Sequence, residues 1–323
     1  MPADFTPLGL AVGHATDENG VTGLTVVRGI DGPFRAGVAL LGRATGTREL
    51  DALSPRHVVD RVDAILLTGG SAYGLAAAAG VMRWMEERGR GFRVAGGVVP
   101  IVPAAVIFDL APLGRFDARP TAMMAYDASE RATGNVIAEG SVGAGTGATV
   151  GKEVGIERAM KGGVGCALES AGSCTAGAIA VVNALGDVRD ERGAIIAGAR
   201  ADTGGFIDIE RAVAAGEITR SRTGEQPAGH TTLAVVAVNA AMSRVDVEQL
   251  AHAAGAAIHR RITPSGTSFD GDVVFSICPI DGPGAPPLQM EALATRALER
   301  AIERAVRAAR GRPGAPGLAG EAA

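Results

Sequence analysis

The sequence predicts a layered α/β protein with sheets inside and helices outside. Three observations carry that. Short β-branched or small-residue runs alternate with longer segments of helical period, and both kinds come in two batches, one in each half of the chain. Hydrophobic residues make up 47% but aromatics only 3%, so the core must be built from Ala, Val, Ile and Leu. There are 47 glycines, enough for close backbone approach at many places.

In chain order, Ser54-Pro55 reads as a helix start, with serine as cap and proline at the first position, and predicts a helix over Pro55 to Val62. Ala64 to Thr68 is a short apolar strand. Gly69-Gly70-Ser71 then turns the chain, with Ser71 as cap, into an Ala-rich helix ending near Arg88. Val98 to Leu110 is extended and punctuated by proline, and Gly140 to Lys152 is a glycine-rich loop. Val164 to Leu168 and Ala176 to Asn183 read as strands. From Asp187 to Glu225 the chain is charged and loop-like, a surface excursion. Thr231 to Asn239 is the strongest buried-strand signal. A helix over Val245 to Arg260 with Ser243 at its start, a strand at Val273 to Ile277 and a helix over Gln289 to Ala309 complete the chain. The last of these carries one apolar stripe. The expected organisation is a single domain, 1–310, followed by a disordered tail, 311–323.

Composition excludes several classes. Thirty-one basic residues against 35 acidic ones give a charge of −4, with no global pull toward nucleic acid or anionic membrane. Few aromatics leave no stacking surface for bases. Cys166, Cys174 and Cys278 are too few and scattered for a disulfide framework or a zinc site, and the five histidines show no metal spacing, so no metal or cofactor is expected. The N-terminus lacks the pattern of a signal peptide, and the longest uncharged apolar stretch, Val94 to Phe108, contains two prolines and is too short to span a bilayer. A cytoplasmic protein is the expectation.

Several motifs fail on inspection. Gly151-Lys152 ends the glycine loop as a phosphate loop would, but Thr146 and Glu153 occupy positions that need Gly and Ser/Thr. The dinucleotide fingerprint lacks its preceding strand and acidic partner. Gly69-Gly70-Ser71 misses the nucleophile elbow because Tyr73 stands where Gly is required.

Two features survive. Lys152 and Lys161 are the only lysines among 31 basic residues, and lysine, unlike arginine, can lose its proton. Gly229-His230-Thr231-Thr232 joins the charged excursion to the strongest strand. A hydroxyl there suits an intramolecular acyl shift: Thr231 attacks the carbonyl of His230, water resolves the ester, and Thr231 becomes a new N-terminus whose α-amine can serve as base.

The strings Gly23 to Val27, Thr68-Gly69-Gly70-Ser71-Ala72-Tyr73-Gly74-Leu75, Gly143 to Gly151, Val181 to Asp187 and the Thr231 strand together resemble the family of DmpA-type aminopeptidases and nylon-oligomer (6-aminohexanoate-oligomer) endohydrolases. The resemblance implies an αββα sandwich, also seen in ornithine acetyltransferases, and an N-terminal-nucleophile amidohydrolase acting on small peptides or linear amides. It implies cleavage between His230 and Thr231 into fragments 1–230 and 231–323, which stay together, commonly as a homotetramer. Carried over by position, Thr231 is the nucleophile, Lys152 its partner and Asn183 the oxyanion support, while Asp270 and Asp272 orient nucleophile and lysine. Lys161 is expected on a surface turn. The choice of base, the Thr231 amine or Lys152, stays open. Ser71, Tyr73 and Phe108 are substrate-pocket candidates. Two departures stand out: His230 replaces a frequent Asn before the nucleophile, and Phe108 stands where the family commonly has a tyrosine hydroxyl. Two other readings share these residues: a self-processed acyltransferase, and an uncleaved small-molecule binding protein.

Overall fold

The computed structural model describes residues 3–111, 113–218 and 229–321. Two five-stranded sheets lie at its centre. The first has the order β1 (Leu10–Asp17), β2 (Thr22–Gly29), β5 (Ala64–Thr68), β6 (Ala104–Val106) and β4 (Thr47–Arg48). The second has the order β7 (Gly163–Ala171), β8 (Cys174–Asn183), β9 (Thr231–Val238), β10 (Val273–Cys278) and β3 (Arg35–Leu40).

The alternation of side chains along each strand builds the layers. Along β9, Leu233, Val235 and Ala237 join Ile179 and Val181 of β8 and Ile65 and Leu67 of β5 in one buried cluster between the sheets. Thr232 belongs to the other parity. Its neighbours Ala234, Val236 and Val238 pack with Leu250, Ala254 and Ile258 of α3 (Arg244–Arg261) and with Ala294, Leu298 and Ile302 of α4 (Pro287–Arg307). A third cluster sets Val26 and Leu66 of the first sheet against Val81, Trp84 and Met85 of α1 (Ala78–Glu86) and Ala125 and Ala128 of α2 (Ala122–Arg131). The result is helix, sheet, sheet, helix: the αββα sandwich.

Small residues make the layers close. A Cβ on Gly165 of β7 would lie 2.1 Å from the Ala301 carbonyl oxygen and 2.4 Å from the Ala305 amide nitrogen, so α4 lies directly on the strand backbone. Ser243 caps α3 by accepting from Asp246 N, as its position before the helix predicts.

Four local expectations are corrected. No helix follows Ser54-Pro55; Leu50–Leu53 is a 3₁₀ turn with Ser54 after it, and residues 55–58 are turn and bend, since no apolar period extends beyond them to hold a helix against the core. The helix after the double glycine is capped by Gly70 at φ 79, and Ser71 itself has φ 51 with no side-chain cap bond. That helix reaches Glu86 through a 3₁₀ step at Leu75–Ala77. The charged excursion holds short strands at Asp187–Arg189 and Ile195–Ala197 and a helix at Ile209–Ala214; its part from 219 to 225 lies outside the described residues. The stretch 311–321, expected to be a free tail, lies against the body, where Pro316 O accepts from Lys161 N at 2.9 Å and Ala315 is fully buried. Among the described residues no helix is long and apolar enough to cross a membrane.

The tight contact at β7 is testable. Gly165→Ala should destabilise the protein by about 1–3 kcal/mol through overpacking against α4, while Gly284→Ala, where a Cβ meets nothing within 4 Å and φ is not positive, should cost less than half as much; urea unfolding followed by circular dichroism measures both.

Candidate active site

The site forms where β8 ends and β9 begins. Asn183 is the last residue of β8 and Thr231 the first of β9, and the antiparallel register pairs them directly. Thr231 shares the parity of Leu233 and so lies on the inter-sheet side. It is 5% exposed, and its hydroxyl donates to the carbonyl oxygen of His230 at 2.7 Å. That carbonyl belongs to the peptide bond immediately before it.

Lys152 comes in from the glycine loop. Its Nζ donates to Asn183 Oδ1 at 2.7 Å, to Asn183 O at 3.2 Å and to Gly229 O at 2.9 Å. Asn183 Nδ2 donates to the same Gly229 oxygen at 3.1 Å and to Phe108 O at 3.3 Å, and Asn183 Oδ1 accepts from Thr149 N as well. One ammonium and one amide therefore converge on one carbonyl two residues before Thr231. Two glycines permit this. Gly151 has φ 73, and a Cβ there would sit 2.2 Å from Ala199 N; Gly229 has φ 106, and a Cβ there would sit 2.1 Å from Phe108 Cβ. Phe108 thus touches the segment before Thr231 through its ring side and Asn183 through its carbonyl.

The aspartates hold the strand start. Asp272 Oδ1 accepts from Thr232 N at 2.6 Å and Oδ2 from Gly266 N at 3.3 Å. Asp270 Oδ2 accepts from Thr267 N at 2.8 Å. Burial, and then the neighbouring Asp270, push the Asp272 carboxyl well above the usual carboxylate range. His230 is buried, bridges to Asp270 in a parallel pairing, and its carbonyl also accepts from Gly271 N at 2.8 Å.

Of the nine positions singled out from sequence, Thr231, Lys152, Asn183, Asp270, Asp272, His230 and Phe108 come together here. Ser71 lies one contact away, its N–H donating to Ile107 O. Tyr73 is 54% exposed and lies under the Arg119 guanidinium at 3.5 Å, turned to solvent. Beside the site is a largely apolar pocket walled by Leu185, Pro264 and Phe269, with Glu153 and Thr267 supplying polar atoms.

Two residues escaped the sequence reading. Lys161, expected on a surface turn, is 1% exposed, and its Nζ donates to the carbonyls of Gly145, Thr146 and Ala148. It pins the glycine loop from inside, and burial lowers its pKa to about 7. Asp109, next to Phe108, accepts from Gly70 N at 2.6 Å and from Thr22 Oγ1 at 2.7 Å. Burial raises its pKa to about 6, opposed by those bonds and by Lys161. The only available signal was that Lys161 is one of two lysines.

The αββα fold and the family match that follows define a class, a hydrolase acting on amide bonds. The chain matches peptidase family S58 over residues 8–317, and it belongs to that family. An uncharacterized aminopeptidase of Mycobacterium tuberculosis is 45% identical over 262 residues, covering 79% of this chain and 72% of the relative. A 6-aminohexanoate-oligomer endohydrolase of Paenarthrobacter ureafaciens is 33% identical over 290 residues, covering 86% and 76%. Two solved structures share the fold. A Burkholderia β-aminopeptidase aligns with TM-score 0.70 at 20% identity over 98% of this chain and 92% of the other. An L-aminopeptidase D-Ala-esterase/amidase of Ochrobactrum anthropi, described as a variant of the Ntn-hydrolase fold, aligns with TM-score 0.67 at 19% identity over 98% and 90%.

The buried Asp109 yields a pH prediction. Its folded pKa lies above its unfolded value of 3.8, so the native state binds more protons than the unfolded chain between about pH 4 and 6. Stability from this group is full below that window and falls as pH rises through it, by up to about 3 kcal/mol. Melting of Asp109→Asn should show a shallower fall between pH 4 and 6 than the unsubstituted protein; identical profiles would rule the assignment out.

Proposed function

We propose that this chain is an N-terminal-nucleophile amidohydrolase that cuts itself between His230 and Thr231 and then hydrolyses peptide or linear amide bonds with the exposed threonine. The observation that carries the reading is the Thr231 hydroxyl, held 2.7 Å from the carbonyl oxygen of the residue before it, with Lys152 and Asn183 gathered beside that segment.

Self-cleavage proceeds as an N→O acyl shift. Thr231 Oγ bonds to the His230 carbonyl carbon, the peptide C–N bond breaks, and the hydroxyl proton ends on the departing nitrogen. Water then hydrolyses the ester, giving a carboxylate at His230, a free hydroxyl and a free α-amine at Thr231. Release of the upstream segment removes Gly229 O. Lys152 Nζ and Asn183 Nδ2 then lose a shared acceptor, and a substrate carbonyl takes its place. There the two donors stabilise the negative oxygen of the tetrahedral intermediate, an effect of about 3 kcal/mol per donor in comparable sites.

The surroundings of Lys152 favour one of the two possible bases. Its nitrogen donates to three oxygens, and that arrangement suits an ammonium. The new α-amine of Thr231, with an ordinary value near ~8, is then the base that takes the hydroxyl proton. Asp272 fixes the backbone at Thr232 and so aims Thr231. Phe108 offers no hydroxyl to the intermediate.

The substrate is a small peptide or a linear amide. The names of the relatives, aminopeptidase and 6-aminohexanoate-oligomer endohydrolase, mark the two classes to test first. A cytoplasmic homotetramer without cofactor completes the reading.

Intact mass measurement decides the first step. The 32.5 kDa chain should convert to fragments of roughly 23 and 9 kDa, in proportion to chain length. Thr231→Ala should remain one chain with no hydrolysis, and Lys152→Met should lower kcat at least about 10²-fold. A wild-type protein that stays whole after long incubation, yet binds ligand, contradicts the proposal.

A further inference from the structure

Self-cleavage and substrate hydrolysis each create a negative oxygen, and the structure shows which donors face the first of these. The oxygen that becomes negative in self-cleavage is that of His230. Among the described residues, the attacking Thr231 hydroxyl donates to it at 2.7 Å and the backbone N–H of Gly271 at 2.8 Å. The hydroxyl is consumed by the attack and gives up its proton. Asn183 Nδ2 is turned to Gly229 O and Phe108 O, and Lys152 Nζ to Asn183 and Gly229. Resting on the self-cleavage reading above, we infer that the Gly271 N–H is the oxyanion donor of the processing step.

The backbone around Gly271 is held for such a role. Asp270 O accepts from Ala44 N at 2.9 Å and Asp272 O from Leu41 N at 2.9 Å, so both flanking carbonyls are tied to the chain that follows β3. The Asp270 carboxylate holds Thr267 N, and the Asp272 carboxylate holds Thr232 N. Asp272 therefore links the donor's own segment to the nucleophile's strand, and the distance from Gly271 N to the scissile carbonyl is set on both sides. A preorganised donor aimed at developing charge needs no rearrangement during reaction, and removal of one such donor slows a reaction by 10²–10³.

In the step itself, the Thr231 oxygen adds to the His230 carbon and the carbonyl π pair moves onto the His230 oxygen. Gly271 N–H donates to that oxygen throughout and transfers no proton. Collapse of the tetrahedral species expels the Thr231 nitrogen, which takes up the proton from Oγ. The following hydrolysis consumes one water and passes through a second negative oxygen on the same carbon, beside the same N–H.

This assigns a chemical role to the residue between the two aspartates.

The test removes the N–H and leaves the side chains alone. Full-length chains are made without cells, and the appearance of the two fragments is followed over time by gel and intact mass. A chain assembled by ligation with glycolic acid at position 271, placing an ester oxygen where the nitrogen was, deletes the N–H and adds no atom. Gly271→Ala keeps the N–H and is the steric control, since a Cβ at this position would lie 2.7 Å from Thr231 Oγ1 and 2.6 Å from Ala44 O. Circular dichroism and melting report folding. The inference predicts a folded chain whose cleavage is slowed 10²- to 10³-fold. A folded ester chain that cleaves within threefold of wild type overturns it. The two levels of failure separate: a wild-type chain that never cleaves removes the self-cleavage reading itself, whereas wild-type cleavage matched by the ester chain removes only the role of Gly271.

Discussion

The pairing of Asn183 with Thr231 across two central strands is the constraint from which the rest of the site follows. Strand side chains alternate, so a slip of one residue in this register would turn Thr231 toward the helices and bring Thr232 to the inter-sheet side. The register is held by burial on both faces. Leu233 and Val235 fit between the sheets, while Ala234 and Val236 fit under α3 and α4. With both faces buried, neither set of side chains tolerates exchange. A hydroxyl at the first position of β9 and an amide at the last position of β8 are therefore placed with the precision of a core.

Buried ionisable groups do the remaining positioning, each held by hydrogen bonds to neutral groups, mostly of the backbone. Lys161 gathers three carbonyls of the glycine loop, which carries Thr149 and Lys152. Asp109 holds the Gly70 turn and Thr22 beside Phe108. Asp187 accepts from Ala199 N and Ile209 N and so fastens the charged excursion, with burial raising its pKa to about 6. Charges removed from water are costly, and several hydrogen bonds to each offset part of that cost. Segments with 47 glycines among 323 residues have few side chains with which to pack themselves. In this chain, buried lysine and aspartate fix loops that apolar packing does not reach.

Elements with a strong local signal were legible and the others were not. The β-branched run at Thr231, the small-residue strand ending at Asn183, and the stripe on α4 each state their period within the segment. Ser243 was legible as a cap because its helix follows directly. Ser54-Pro55 carried the same signature and starts no helix, because a cap only selects a start and the apolar face that pays for a helix is missing there. Ser71 misled for the opposite reason: the helix exists, but Gly70 takes the left-handed conformation before it. The tail beyond Arg310 has the composition of a free end, and its described part, up to 321, lies in place because the N–H of Lys161 and the carbonyl of Ala309 offer it backbone partners.

The chain by itself displayed a hydroxyl at a loop–strand junction and a rare lysine after glycines, and its resemblance to a known family added Asn183 and the Asp-x-Asp to the candidate set. Local sequence offers such candidates because residue type sets what a side chain can donate, accept or attack. Only the tertiary structure decided that Lys152 and Asn183 share one carbonyl, that Lys161 is interior, and that the amide of Gly271 faces His230. Those contacts join segments far apart in the chain, and their distances are set by how the two central sheets and the helices that flank them close together. A backbone N–H, moreover, is the same at every residue but proline, so nothing in the sequence distinguishes the one that matters.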